Sequence, residues 1–187
     1  KSRCQKLVFP LLSEADIAEN LIKQFQIQNA MAFKTARRSR GDFNKALQLL
    51  EETGEDEVFE KWFISWVRTA FRAKGNKGSI NQLLEWSDEL ATQGRETQKK
   101  FLLYCIEVFR QGLLKNYSAD ALLFFEANDK SFSLQKFAPF VHQNNIFEIN
   151  SALEDAAYHI ERNGNAKIIF TDLSIKLTRL IHKPELV

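Results

Sequence analysis

Apolar residues recur at intervals of three and four through almost all of the chain, and each run stops at a glycine or at a residue suited to capping a helix. Ser13, with Asp16 three positions later, has the form of a helix N-cap, and Ile17, Leu21, Ile22 and Phe25 then share one face, so a helix is expected over 14–25. A second helix is expected over 28–39, with Ala30, Phe33 and Ala36 turned inward, stopping at Gly41. Asp42 is placed to cap a third, over 43–52, whose apolar face is Phe43, Ala46, Leu47 and Leu50. Three short helices in about 40 residues are marginal as an independent domain.

Beyond Gly54 the periodic runs lengthen. Residues 56–73 carry a broad aromatic stripe of Val58, Phe59, Trp62, Phe63, Trp66, Val67 and Phe71. Gly75 to Gly78 interrupts it, and Ser79 is the expected cap of a helix over 80–93. Gly94 precedes a long helix over 95–115, with Phe101, Leu102, Cys105, Ile106, Phe109 and Leu113 inward. Residues 116–131 lack a clear period and are expected to form a connection with a short helix near 121–125. Further helices are expected over 132–142, interrupted at Pro139, over 146–162, and over 166–182 beyond the stop at Gly164. The fold class is all-α: a small three-helix unit, residues 10–54, then a helical bundle, residues 55–187. Residues 1–9 read as a short strand with no sheet to join, the tail of an upstream domain.

Charge supports the division. Residues 1–50 hold 9 Lys and Arg against 4 Asp and Glu, whereas residues 51–187 hold 17 against 20. The net charge of +2 makes no general case for nucleic acid or membrane, although Lys34, Arg37, Arg38 and Arg40 form a local basic group. No run reaches the ~20 apolar residues of a membrane span. Cys4 and Cys105 make no disulfide framework, and a reduced, cytoplasmic setting is expected. No phosphate-cradling glycine loop occurs, and His142, His159 and His182 stand at no metal-ligand spacing. Cys105 lies on an apolar face and reads as core. The chain carries no active site of its own that residue patterns can define.

Three phrases resemble one family. Ser2-Arg3-Cys4, a strand, and Pro10-Leu11-Leu12-Ser13-Glu14-Ala15-Asp16-Ile17 are similar to the end of the ATPase domain of AAA+ clamp-loader subunits and the opening of their lid. Residues 36–47, Ala-Arg-Arg-Ser-Arg-Gly-Asp-Phe-Asn-Lys-Ala-Leu, resemble the signature of the lid's third helix. Residues 158–170, running into Asp172-Leu173-Ser174, are similar to the end of delta-prime subunits of bacterial DNA polymerase III.

The resemblance implies a lid over 10–54, a collar domain over 55–187 that joins five subunits into a ring, and a remnant of the ATPase domain over 1–9. It implies that Arg3, shaped by Ser2 and Cys4, is an arginine finger reaching the ATP of a neighbouring subunit, where a guanidinium stabilises the charge of phosphoryl transfer. ATP and magnesium would then be bound by neighbours and not by this chain. The family's motor subunits carry a sensor arginine where this chain has Asn44. An uncharged Asn44 implies a weak or dead nucleotide site, and Lys45 points ~100° away from it on the helix. The implied partners are the other clamp-loader subunits, and, through the whole complex, the sliding clamp and primer–template DNA. Two other readings stand beside this one: a motor ATPase subunit without its catalytic domain, and an unrelated helical scaffold using the basic group at 34–40. Phe124, Phe125, Phe132, Phe137 and Phe140 are candidates for either core or subunit interface.

Overall fold

A computed structural model describes residues 10–51, 55–125 and 127–185. Among these the chain is helical, with no strand, and it divides into two compact units, Lys1–Asp56 and Glu57–Val187. The strand expected over residues 1–9 lies outside the described residues, as does the break at Thr53-Gly54.

The first unit consists of α1 (Glu14–Phe25), α2 (Asn29–Ser39) and α3 (Phe43–Glu51). Ser13 caps α1 as expected: its hydroxyl oxygen accepts from the Asp16 N–H at 3.1 Å and donates to the Asp16 carboxylate at 2.6 Å. Asp42 caps α3, its carboxylate accepting from the Lys45 N–H at 3.1 Å. The core is made of Ile17, Ala18 and Leu21 from α1, Ala32 and Ala36 from α2, and Ala46 from α3. The inward face of α2 differs from the expected one. Ala32, Thr35, Ala36 and Ser39 are buried, whereas Ala30 and Phe33 face solvent. The reason is size. α2 packs on both α1 and α3, and small side chains let the backbones approach where a phenylalanine would hold them apart.

The second unit is built on α4 (Glu55–Ala73), α5 (Lys77–Ala91), α6 (Arg95–Asn116), α7 (Leu134–Phe137), α8 (Ile146–Glu161) and α9 (Ala166–Leu180). From residue 57 onward, α4 makes its contacts through rings. Trp66 stacks on Trp86 at 5.1 Å and 3°, and Phe63 meets Phe109 and Phe137 edge-on at 5.5 and 5.7 Å. The buried indoles also satisfy their N–H groups: Trp66 donates to the Ser174 hydroxyl at 2.9 Å and Trp86 to the Trp62 carbonyl at 3.1 Å. Val58 and Phe71, counted in the expected stripe, are exposed; Phe71 lies against Phe140 and His182 at the surface.

Four features of this unit depart from expectation. α5 begins at Lys77 because Asn76, not Ser79, is its cap, accepting from the Gly78 N–H at 2.9 Å, while Ser79 is buried in the first turn. The helix expected over 132–142 is only α7 followed by a 3₁₀ turn at Ala138–Phe140 that contains Pro139, so the α-helix ends one residue before the residue preceding the proline. Among the described residues between α6 and α7, helical structure is limited to a 3₁₀ turn at Asp120–Leu122. The stop at residue 164 has a different cause from the one expected. Asn163, at φ 65°, is the left-handed residue, and Gly164 follows it where a Cβ would fall 2.8 Å from the His159 carbonyl oxygen.

Candidate functional site

The expected arginine finger, Arg3, and its flanking Ser2 and Cys4 lie outside the described residues. The other two segments of the first unit that carry family-like phrases are described, and they meet. The Leu12 N–H donates to the Gly41 carbonyl at 3.1 Å, joining the segment before α1 to the turn before α3. That turn holds Arg40 and Gly41 in succession at φ 54° and 86°. A Cβ on Gly41 would come 2.7 Å from the Leu11 Cβ and 3.0 Å from the Leu12 carbonyl oxygen, so glycine is required both by its backbone angle and by the close approach. This junction, residues 10–13 against 39–45, is the candidate functional site of the first unit.

Asn44 and Lys45 stand in the first turn of α3, both exposed. One helical step separates them by ~100°, so the two side chains leave the helix on different sides. The basic group is partly neutralised within the unit. The Arg37 Nε lies 3.3 Å from a Glu14 carboxylate oxygen, and Arg38 meets Asp56 as a fork at 2.5 and 3.3 Å. Arg40 serves as the left-handed C-cap of α2. Arg37 and Arg38 are thus each engaged by a carboxylate.

In the second unit the thiol of Cys105 is fully buried, and burial pushes its pKa up, so it is held as an inert core thiol. His142 is buried with its Nε2 3.0 Å from the Lys183 carbonyl; His159 is exposed; His182 has its Nδ1 2.8 Å from the Thr178 carbonyl. Among the described residues no group of three or more His, Cys, Asp or Glu is disposed to hold a metal ion. No helix there is long and apolar enough to cross a membrane.

The buried polar residues of this unit are structural devices that periodicity does not reveal. Glu60 accepts from the Asn128 and Asp129 N–H groups and from the Asn128 amide, at 2.9 to 3.1 Å. The Gln111 side-chain oxygen accepts from the Phe124 and Phe125 N–H groups at 3.0 and 3.3 Å. Gln98 donates to the Leu90 and Gln93 carbonyls, closing the end of α5. The connection between α6 and α7 thus takes its backbone partners from side chains of α4 and α6. Of the five candidates Phe137 is buried in the core, Phe125, Phe132 and Phe140 are partly buried and pack against it, and Phe124 is partly buried outside that cluster. The exposed large apolar side chains of this unit include Phe147, Ile168, Leu103, Leu122 and Tyr158, 78%, 66%, 62%, 59% and 50% exposed. α6 and α8 pack side by side, Lys99 of one lying 3.6 Å from Glu161 of the other. Phe147 and Tyr158 are three helical turns apart on one stripe of α8, and the Arg162 guanidinium lies 4.3 Å from the Tyr158 ring centroid.

No protein-family model, curated protein or solved structure matches this chain. The described residues define two compact helical units.

Proposed function

We propose that the chain is a non-catalytic subunit of a clamp loader, of the delta-prime type, serving to load the sliding clamp onto primed DNA. In this reading the three-helix unit is the lid, the bundle is the collar that assembles with neighbouring subunits, and Arg3 acts in trans on a neighbour's ATP. The observation that carries the reading is the junction at Gly41. Two phrases that separately resemble the lid, 10–17 and 36–47, are far apart in the chain and bonded to each other through Leu12 and Gly41. Asn44, exposed and uncharged where a motor subunit has a sensor arginine, supports a chain that does not itself hydrolyse ATP. The exposed Leu103, Phe147 and Tyr158, with Arg162 on the tyrosine ring, supply the apolar and aromatic groups an assembly surface needs.

The test is Arg3→Ala in the assembled complex. Assembly is expected to be retained while DNA-stimulated ATP hydrolysis slows, because an arginine finger is worth about 10³–10⁵ at the site it serves. An unchanged rate removes the role of Arg3. Separately, Phe147→Glu is expected to leave the helical content unchanged and to weaken co-elution with the other subunits; unaltered assembly would move the interface elsewhere.

A further inference from the structure

The chain contains one Asn-Gly step, Asn163-Gly164, and it forms the turn between α8 and α9. α8 is closed there by two reverse bonds. The Asn163 N–H donates to the Ile160 carbonyl at 3.1 Å, and the Gly164 N–H donates to the His159 carbonyl at 2.8 Å. Asn163 is exposed and left-handed at φ 65°. Gly164 is closely seated: a Cβ placed on it would lie 2.8 Å from both the His159 oxygen and the Ile169 Cδ1.

We propose that Asn163 is a deamidation site held latent by this helix cap. In the reaction the Gly164 backbone nitrogen attacks the side-chain carbonyl carbon of Asn163. The attacking nitrogen loses its proton, the side-chain amide leaves as ammonia, and a five-membered succinimide closes. Water then opens the ring at either carbonyl to give aspartate or isoaspartate. No oxidant or cofactor takes part. Glycine at the following position offers the least obstruction, since it brings no Cβ against the forming ring.

The folded turn opposes this chemistry at the attacking atom. The Gly164 N–H is committed to His159, and the left-handed backbone of Asn163 is fixed by its own bond to Ile160. Ring closure therefore requires the cap to open, and its rate follows the open population. The product puts a carboxylate at the C-terminal end of α8, where the helix dipole disfavours negative charge. Isoaspartate also inserts a backbone methylene between the Asn163 Cα and the Gly164 nitrogen, inside the ring closed by the bond from the Gly164 N–H to the His159 carbonyl. In the isoaspartate product the α8–α9 turn cannot close again in the same form.

The test is to incubate the full chain at mildly alkaline pH, folded and in denaturing urea, and to follow each asparagine by peptide mapping with mass spectrometry. Asn163 is expected to convert first, about tenfold or more slowly in the folded protein than in urea. Ile169→Ala, which removes the side chain seated on Gly164, is expected to raise the folded rate and leave the urea rate unchanged, with circular dichroism confirming that it folds. Asn163→Gly, well suited to the left-handed position, removes the first conversion. Equal rates in the two conditions, an Ile169→Ala rate no faster than the parent, or earlier conversion of another asparagine would overturn the proposal.

Discussion

Replacing Glu60 by alanine would remove the acceptor on which residues 128 and 129 depend. Glu60 is only 3% exposed, and both of its oxygens are engaged, one by the Asn128 N–H and amide, the other by the Asp129 N–H. Hydrogen bonds to a charged group contribute about 1.5–3 kcal/mol each, but three around one carboxylate do not add, and water can reach the exposed Asn128 once the carboxylate is gone. Alanine also relieves the cost of keeping a carboxylate away from water. These opposing effects leave a net loss of about 2–3 kcal/mol. Glu60→Gln keeps the shape and one acceptor but turns an NH₂ toward donors, so about 1–2 kcal/mol is expected. Urea denaturation would read both as a lower midpoint at unchanged slope, and hydrogen exchange would report lost protection at 128 and 129 in the alanine variant. A Glu60→Ala protein within about 0.5 kcal/mol of the parent, or less affected than Glu60→Gln, would refute the assignment of Glu60 as the anchor of this connection.

Other consequences follow from single positions. Gly41→Ala is expected to destabilise the first unit by about 1–3 kcal/mol, because the backbone angle and the approach of Leu11 and Leu12 both exclude a Cβ; a melt of the variant indistinguishable from the parent would contradict the junction. In a Cys4→Ser background no thiol is expected to react with a disulfide reagent until unfolding, since Cys105 is buried and its thiol pKa raised; prompt labelling of the folded protein would oppose this. The Asp129 carboxyl is held below its usual pKa, first by the Ser131 side chain, then by the Ser131 N–H, with Arg68 and Lys61 assisting. A lowered folded pKa means that the unfolded chain takes up the proton more readily. The stabilisation is therefore present above the ordinary carboxylate value of about 3.9 and is lost as pH falls through the folded one. The stability difference between the parent and Asp129→Asn should shrink with acidification; a difference constant with pH would refute it.

Helix positions were legible in the sequence wherever the deciding interaction is local. Ser13 and Asp42 cap helices through atoms three residues away, and the apolar periods of α4 and α6 run several turns. Helix starts were not legible where two signals competed nearby, as with Asn76 and Ser79 at the start of α5. Burial was not legible where a partner from another part of the chain decided the outcome. Phe33 is a better hydrophobe than Ala32, yet Ala32 is inside because the neighbours of α2 approach closely. Phe125 and Phe132 could have been surface or core, and their contacts with Tyr104 and Phe63 put them on the core.

The candidate site divides in the same way. The sequence contains the phrases at 10–17 and 36–47 and the uncharged Asn44, and these suffice for a resemblance to be stated. That Leu12 bonds to Gly41, and that two of the four basic residues are matched by Glu14 and Asp56, is a matter of distance in the folded chain. By itself the sequence determined the helical class of the described residues, their main helices and the caps at Ser13 and Asp42, because these depend on residues within a turn or two of one another. Only the tertiary structure decided which face of α2 is buried, which aromatics are core, and which side chains anchor the connection after α6. Those outcomes depend on which atoms from distant segments meet, and Glu60, whose partners lie 68 and 69 positions along the chain, is the plainest case.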